Sequence, residues 1–204
     1  MKIIGLTGSI GMGKTTTSAM FRDLGVPVWD ADGAVHRLYG VGGAGAKALG
    51  DRFRDAIRPD HSVDRDVLAK LVLSNPPALK ELESIVHPLV GSDRASFLAD
   101  ARRDRHDLVI VDVPLLFETG GENYVDAVIV VTCDPDINRA RVLARAGMTP
   151  EKLASILARQ LPDADKRARA DFIITTDISL DDTREQVGRL YQTLIQTHHL
   201  SNES

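Results

Sequence analysis

Residues 8–15 read GSIGMGKT, and their types and spacing are those of a phosphate-binding turn. They fit the pattern G-x-x-x-x-G-K-[ST], in which the backbone N–H groups of a glycine-rich loop surround phosphate oxygens. A strand pattern precedes them and a helix pattern follows, which disfavours a chance glycine-rich turn. The Lys14 ammonium then reaches the β- and γ-phosphates of ATP, and the Thr15 hydroxyl binds Mg²⁺. The residues predicted to contact the nucleotide here are Gly8, Gly11, Met12, Gly13, Lys14, Thr15 and Thr16.

Three carboxylates follow apolar runs and are candidates for the chemistry. Asp32 comes just after the run Val26 to Trp29 and is predicted to act as the catalytic base for an acceptor hydroxyl. Asp30 has a structural alternative, because aspartate is a favoured helix N-cap. Asp112 ends the run Leu108 to Val111 and is predicted to hold Mg²⁺; the alternative is an aspartate that simply closes a strand.

Arginines are concentrated between positions 139 and 170, where guanidinium groups could bind phosphate oxygens in a bidentate manner. Any one exposed arginine is more often a solvated surface residue, so only the set indicates a nucleotide-closing lid. Arg141 and Arg145 are four residues apart, which predicts one shared helix face. The set consists of Arg139, Arg141, Arg145, Arg159, Arg167 and Arg169.

A short apolar segment follows Asp112 directly. Its residues Leu115, Leu116 and Phe117 are predicted to form a wall for an acceptor substrate, with plain core packing as the alternative. His87 precedes Pro88 in an apolar helical pattern, and on pattern alone it is more often a structural histidine.

Five apolar, β-branched runs must position these residues. Such runs suit strands that are buried on both faces of a parallel sheet, and helical patterns alternate with them. We therefore expect a doubly wound α/β fold with ligands at the carboxyl ends of the strands. The strand runs are Lys2 to Leu6, Val26 to Trp29, Leu108 to Val113, Ala127 to Val131 and Phe172 to Ile174.

Two helical intervals are longer than a simple crossover, and we interpret them as additions to one domain that carries the phosphate-binding turn and spans residues 1–204. The core is expected at about 1–39, 107–138 and 171–200. A helical substrate-binding insertion is expected at about 40–106, and a helical lid at about 139–170.

Composition narrows the class of partner. The chain has 204 residues and a net charge of −4, which argues against broad nucleic-acid binding. No apolar segment reaches the length of a membrane span, and the single cysteine, Cys133, fits a reducing compartment, so a cytoplasmic protein is expected. Cys133 follows an apolar run and is expected to be buried and inert. Nothing in the sequence indicates an obligate protein partner.

Taken together, the sequence motifs of this chain resemble those of the dephospho-coenzyme A kinase family. The resemblance is carried by GSIGMGKT at 8–15, WDAD at 29–32, IVHPLV at 85–90, DVPLLFETG at 112–120 and KRARADFII at 166–174. It implies a P-loop NTPase three-layer fold with a five-stranded parallel sheet, a helical coenzyme-A-binding subdomain and a lid. It also implies transfer of the ATP γ-phosphoryl group to the ribose 3′-hydroxyl of dephospho-coenzyme A.

The same resemblance implies roles for single residues. Asp32 would face the acceptor hydroxyl, Arg141 would act from the lid, and His87 would join the apolar segment in contacting the acceptor. Two other functions stay open from the residues alone. One is a different nucleoside or nucleotide kinase; the other is a nucleotide-binding sensor without catalysis.

Overall fold

The five apolar runs form the strands of one parallel sheet. The structure is a computed structural model that describes residues 1–202, with side chains described through residue 196. The strand order across the sheet is β2-β3-β1-β4-β5. The strands are β1 (Lys2–Thr7), β2 (Val28–Asp30), β3 (Leu108–Asp112), β4 (Ala127–Thr132) and β5 (Phe172–Thr175). The prediction of five strands and an α/β fold is confirmed.

Both faces of the sheet are covered, which explains why the strands do not alternate with polar residues. On β4, Ile129 and Val131 pack on one side with Phe21 and Leu194, whereas Val128 and Val130 pack on the other. The register sets Leu6 of β1 beside Asp112 of β3 and Ile129 of β4. The carboxyl end of β3 therefore lies beside the turn that leaves β1.

Helices connect the strands, and one further helix follows the last strand. They are α1 (Lys14–Asp23), α2 (Ala31–Tyr39), α3 (Ala44–Leu49), α4 (Arg65–Val72), α5 (Pro76–Arg103), α6 (Pro135–Leu143), α7 (Pro150–Leu157), α8 (Asp163–Ala168) and α9 (Leu180–Asn202). Short 3₁₀ turns lie at Arg54–Ala56 and Gly121–Tyr124. No helix within residues 1–202 combines the length and apolar character that crossing a membrane requires.

The chain divides into two compact units. The first consists of Met1–Trp29 together with the chain from Ala101 onward, and it contains the sheet. The second unit is Asp30–Asp100, so it begins earlier and ends earlier than the insertion expected at about 40–106. The expected lid interval, about 139–170, holds the end of α6 and both α7 and α8. Residues 203 and 204 of the expected single domain lie outside the described residues.

The second unit has its own apolar core. Its center is built from Leu49, Phe53, Leu68, Val72 and Val86, which come from α3, α4, α5 and the segments between them. Aspartates start two of its helices, because a carboxylate satisfies N–H groups that have no partner within the helix.

Candidate nucleotide site

A glycine-rich turn joins β1 to α1, and glycine is required at several of its positions. Gly11 and Gly13 adopt φ values of +82° and +89°, which favour glycine strongly. At Gly8 an added Cβ would lie 2.5 Å from the Val131 carbonyl oxygen. The backbone can therefore turn tightly into the N-terminus of α1, an arrangement that suits a phosphate group.

The tip of this turn is held by Asn138 of α6 and by Gln160, which follows α7. The Asn138 side-chain amide donates to the Ile10 carbonyl at 2.7 Å. The Ile10 N–H donates to Oε1 of Gln160 at 3.2 Å, just beyond the end of α7. The backbone N–H and carbonyl of Ile10 are thus both hydrogen-bonded to side chains from much later in the sequence.

The base of the turn is held by Thr176, which follows β5. Its hydroxyl donates to the Met12 carbonyl at 2.8 Å, and it accepts from Nη1 of Arg141 at 3.0 Å. Nη2 of Arg141 donates to the Thr176 carbonyl at 2.6 Å. Arg141 therefore braces the nucleotide loop through Thr176.

The Met12 side chain is buried against the only cysteine of the chain. Its sulfur lies 3.5 Å from Sγ of Cys133, which is itself buried. Burial raises the pKa of the Cys133 thiol, and the charge of Arg141 opposes that rise only in part. The expectation that Cys133 is buried is confirmed.

The charged center of the site is the pair formed by Lys14 and Asp112. The Lys14 ammonium binds Oδ1 of Asp112, and the Ser18 hydroxyl donates to Oδ2. Asp112 is only 3% exposed, so its carboxylate depends on partners such as these in place of water. The arrangement places one cation and one anion where the turn and β3 meet.

The oxygen donors beside Lys14 fit a magnesium ion. Thr15 lies exposed in the first turn of α1, and the Asp112 carboxylate ends the strand beside it. Hydroxyl and carboxylate oxygens, completed by water and phosphate oxygens, are the ligands that Mg²⁺ prefers. Thr16 is likewise exposed in this first turn.

Three of the predicted site residues belong to the second unit. Asp30 is the N-cap of α2, and its carboxylate accepts from the Asp32 N–H at 3.1 Å, so the capping alternative is correct for Asp30. The Asp32 side chain is exposed in the first turn of α2. His87 is exposed in the middle of α5.

The prediction that Arg141 and Arg145 share one helix face is wrong. Helix α6 ends at Leu143, and Gly147 adopts a φ of +73° in the turn that follows. Arg145 lies in this turn and is exposed. Two of the remaining arginines form ion pairs, Arg167 with Asp163 and Arg169 with Glu122.

The apolar segment after Asp112 is mostly core. Leu116 is 1% exposed and Phe117 is 7% exposed, and both pack with Val128 and Val130. Leu115 is 37% exposed and is the residue of the three whose side chain has substantial free surface. A wall for an acceptor would therefore be presented by Leu115 and supported by the other two.

Several residues of the site were not singled out from the sequence. Ser18 had a usable signal, since it lies four residues after Lys14 and hence on the same helix face. Asn138, Gln160 and Thr176 reach the turn from distant parts of the chain, and no local pattern marks them.

Comparison with known proteins gives consistent matches over nearly the whole chain. A family model described as dephospho-CoA kinase matches residues 2–182. The dephospho-CoA kinase of Rhodopseudomonas palustris strain HaA2 is 51% identical over 190 residues, covering 93% of this chain and 94% of that protein. The dephospho-CoA kinase of Brucella melitensis is 50% identical over 190 residues, with the same coverage of 93% and 94%.

Solved structures give the same fold. A protein from Thermus thermophilus superposes with a TM-score of 0.79 at 34% identity, covering 95% of this chain and 97% of that chain. A shikimate kinase from Acinetobacter baumannii superposes with a TM-score of 0.53 at 16% identity, covering 97% and 94%, which shows likeness of fold alone.

Proposed function

This chain belongs to the dephospho-CoA kinase family, and from that premise we propose that it transfers the γ-phosphoryl group of ATP to the ribose 3′-hydroxyl of dephospho-coenzyme A. The acceptor oxygen bonds to the γ-phosphorus, and the bond from that phosphorus to the β–γ bridging oxygen breaks. The hydroxyl proton is released, and the products are ADP and coenzyme A. The observation that carries the proposal is the Lys14–Asp112 pair beside a phosphate-binding turn, in a chain that matches the family over residues 2–182.

Lys14 is proposed to bind the β- and γ-phosphates. Its ammonium now neutralises Asp112, and the negatively charged triphosphate competes for it when ATP binds. Ser18 remains on the other carboxylate oxygen and keeps Asp112 hydrogen-bonded during that exchange. Backbone N–H groups of the turn, including those of Gly8, Gly11 and Gly13, are proposed to supply donors that need no reorganisation. The Met12 N–H donates to the Ser9 carbonyl at 3.2 Å, so Met12 is proposed to contribute by shaping the turn.

Thr15 and Asp112 are the residues proposed to hold Mg²⁺, the second directly or through water. The ion would supply neutralisation of the charge on the β- and γ-phosphate oxygens. Thr16 would contribute its hydroxyl or backbone N–H to the nucleotide.

Asp32 is proposed to accept the hydroxyl proton or to orient the hydroxyl. It follows the carboxyl end of β2, and ligands of parallel sheets bind beyond the carboxyl ends of the strands. His87 and Leu115 are proposed to contact the acceptor, with Leu116 and Phe117 supporting Leu115 from the core.

Arg141 and Arg145 are proposed to act on the nucleotide in different ways. Arg141 is tied to Thr176 and so contributes by holding the loop, with its remaining N–H donors available to the nucleotide. Arg145 is exposed in the turn after α6, where lid movement can bring it to phosphate. We further propose a cytoplasmic enzyme that needs no obligate protein partner.

The test of function is an acceptor panel. ADP release is measured with ATP and Mg²⁺, first without an acceptor and then with dephospho-coenzyme A, several nucleosides and nucleotides, or shikimate. We expect release that depends on dephospho-coenzyme A, with coenzyme A identified by mass. Release with a different acceptor would mean another small-molecule kinase, and ATP binding without release would mean a sensor.

A pair of neighbouring aspartates tests the assignment of the base. Asp32→Asn should lower kcat by about 10²-fold or more with little change in the KM of ATP, because general-base groups typically contribute that much. Asp30→Asn is the matched control, since asparagine caps helices as well as aspartate does and keeps the acceptor for the Asp32 N–H. Equal kcat values for the two variants would remove Asp32 as the base.

A further inference from the structure

Lys166, in the lid helix α8, is a fully buried lysine that the reaction does not use directly. Its side chain is 0% exposed, and its ammonium lies 2.9 Å from Oε1 of Glu118. Nζ also donates to the Pro114 carbonyl at 3.4 Å. Lys166 therefore joins α8 to both ends of the segment that follows Asp112.

Other contacts tie the same segment to the lid region and the sheet. Oε1 of Glu118 accepts from the Leu161 N–H at 2.6 Å, and the Thr7 hydroxyl donates to the Pro114 carbonyl at 3.1 Å. The Arg169 guanidinium lies over the Phe117 ring, 4.4 Å from its centroid. The segment from 114 to 118 is thus held at its first residue, at its last residue and through a ring between them.

Complete burial of the Lys166 side chain calls for a reason beyond stability, whereas the Glu118 side chain keeps 16% of its surface exposed. Moving the lysine charge out of water costs free energy that its attraction to a carboxylate often fails to recover, and an apolar side chain of similar volume is frequently as stable. Burial disfavours ionised Glu118, yet hydrogen bonds from Lys166 and from the Leu161 N–H hold its pKa below the ordinary value. What the pair provides, and an apolar pair would not, is a directional attachment of two backbone regions.

The residue fixed by this attachment is Leu115. Its neighbour Pro114 is held through the carbonyl by Lys166, and its neighbour Leu116 is locked in the core, while Leu115 itself is 37% exposed. We propose that Lys166 is a positioning residue for the acceptor: through Glu118 and Pro114 it sets the place of Leu115, and acceptor affinity depends on it more than ATP affinity does. This proposal rests on the proposed function, in which Leu115 contacts dephospho-coenzyme A.

The experiment compares Lys166→Met with Lys152→Met. Lys152→Met is the matched control because it makes the same substitution in the same lid region at an exposed position. The Lys152 ammonium donates to the Gly147 carbonyl at 2.7 Å. We expect Lys166→Met to raise the KM of dephospho-coenzyme A about tenfold while the KM of ATP changes by less than about twofold. Lys152→Met should leave both KM values unchanged.

A second variant and a second measurement keep the test decisive. Glu118→Gln keeps the side-chain shape and one hydrogen-bond-accepting oxygen but removes the charge. If Lys166→Met does not fold, Glu118→Gln takes its place in the test, and it should also raise the KM of dephospho-coenzyme A. Hydrogen–deuterium exchange of the amides in residues 113–120 should become faster in Lys166→Met and not in Lys152→Met.

Different outcomes separate the two proposals. A lower Tm with an unchanged acceptor KM, or an equal rise of both KM values, would overturn the positioning role and leave Lys166 with a purely structural one. If the wild-type protein does not phosphorylate dephospho-coenzyme A, the proposed function fails, and the exchange measurement alone decides whether Lys166 holds the segment. Unchanged exchange in Lys166→Met would refute the attachment itself.

Discussion

Replacement of Gly11 by alanine separates the two reasons why glycine is needed in the nucleotide-binding turn. Gly11 has a φ of +82°, and an added Cβ would lie 2.3 Å from Cγ2 of Val142 and 2.8 Å from Nδ2 of Asn138. Gly25 has nearly the same φ, +79°, but an added Cβ there meets nothing within 4 Å. Gly25→Ala therefore carries the backbone strain alone, whereas Gly11→Ala carries strain and a steric clash.

The magnitudes follow from those two environments. An L-residue in the left-handed region costs about 1–2 kcal/mol, and alanine recovers about 0.4–1 kcal/mol by restricting the unfolded chain. Gly25→Ala should therefore lower the free energy of unfolding by at most about 1.6 kcal/mol. Inserting a methyl group into packed core adds about 1–3 kcal/mol, so Gly11→Ala should be less stable than Gly25→Ala by that amount.

Urea unfolding followed by fluorescence measures this difference. The chain has a single tryptophan, Trp29, which is 4% exposed and belongs to the same compact unit as Gly11 and Gly25. Its emission therefore reports on the unit in which both substitutions lie. The shift in midpoint at constant slope gives the change in the free energy of unfolding.

A double variant identifies the atom responsible. Val142→Ala removes the Cγ2 atom that the new Cβ would meet, so the double variant should be more stable than the sum of the single effects by about 1 kcal/mol or more. Equal losses for Gly11→Ala and Gly25→Ala, or simple additivity with Val142→Ala, would refute the steric argument and leave backbone strain as the whole cause.

Two further outcomes follow from the perturbed pKa values. Because the folded-state pKa of Glu118 lies below its ordinary value of 4.5, its ionisation stabilises the protein fully above pH 4.5, and this contribution is lost as the pH falls through the folded-state pKa. The stability gap between wild type and Glu118→Gln, measured by urea midpoints from pH 7 downward, should therefore narrow below pH 4.5; a constant gap would contradict the assignment. Burial and a raised pKa should also make Cys133 react with a thiol reagent at least about tenfold more slowly in the native protein than in urea, and equal rates would show that the thiol is accessible.

Much of the fold could be predicted because its signals are local. Strands buried on both faces leave uninterrupted apolar runs, and glycines with Lys14 and Thr15 mark a loop whose shape depends on those residue types. The same reasoning identified Asp112 as a carboxylate at the carboxyl end of a strand, and the pairing of β3 with β1 then places it beside that loop.

The remaining parts of the site depend on contacts that local patterns do not encode. A buried lysine such as Lys166 looks like any surface lysine in sequence, because only its distant partner Glu118 makes burial tolerable. The role of Thr176 was equally hard to predict, because it depends on hydrogen bonds with Met12 and Arg141, which are distant in sequence. The sequence pattern extends α6 to Arg145 because no residue before Gly147 strongly marks the end of a helix.

The hydrogen bonds that hold the nucleotide-binding turn also determine when it can be completed during synthesis. Ile10 is bound by Asn138 and Gln160, and Met12 by Thr176, across sequence separations of 128, 150 and 164 residues. A nascent chain that has left the ribosome only as far as β4 contains every glycine and the lysine of the turn but none of these three partners. Bracing of the turn is therefore a late, non-local event, and the chain completes these three contacts only when its last strand has been made.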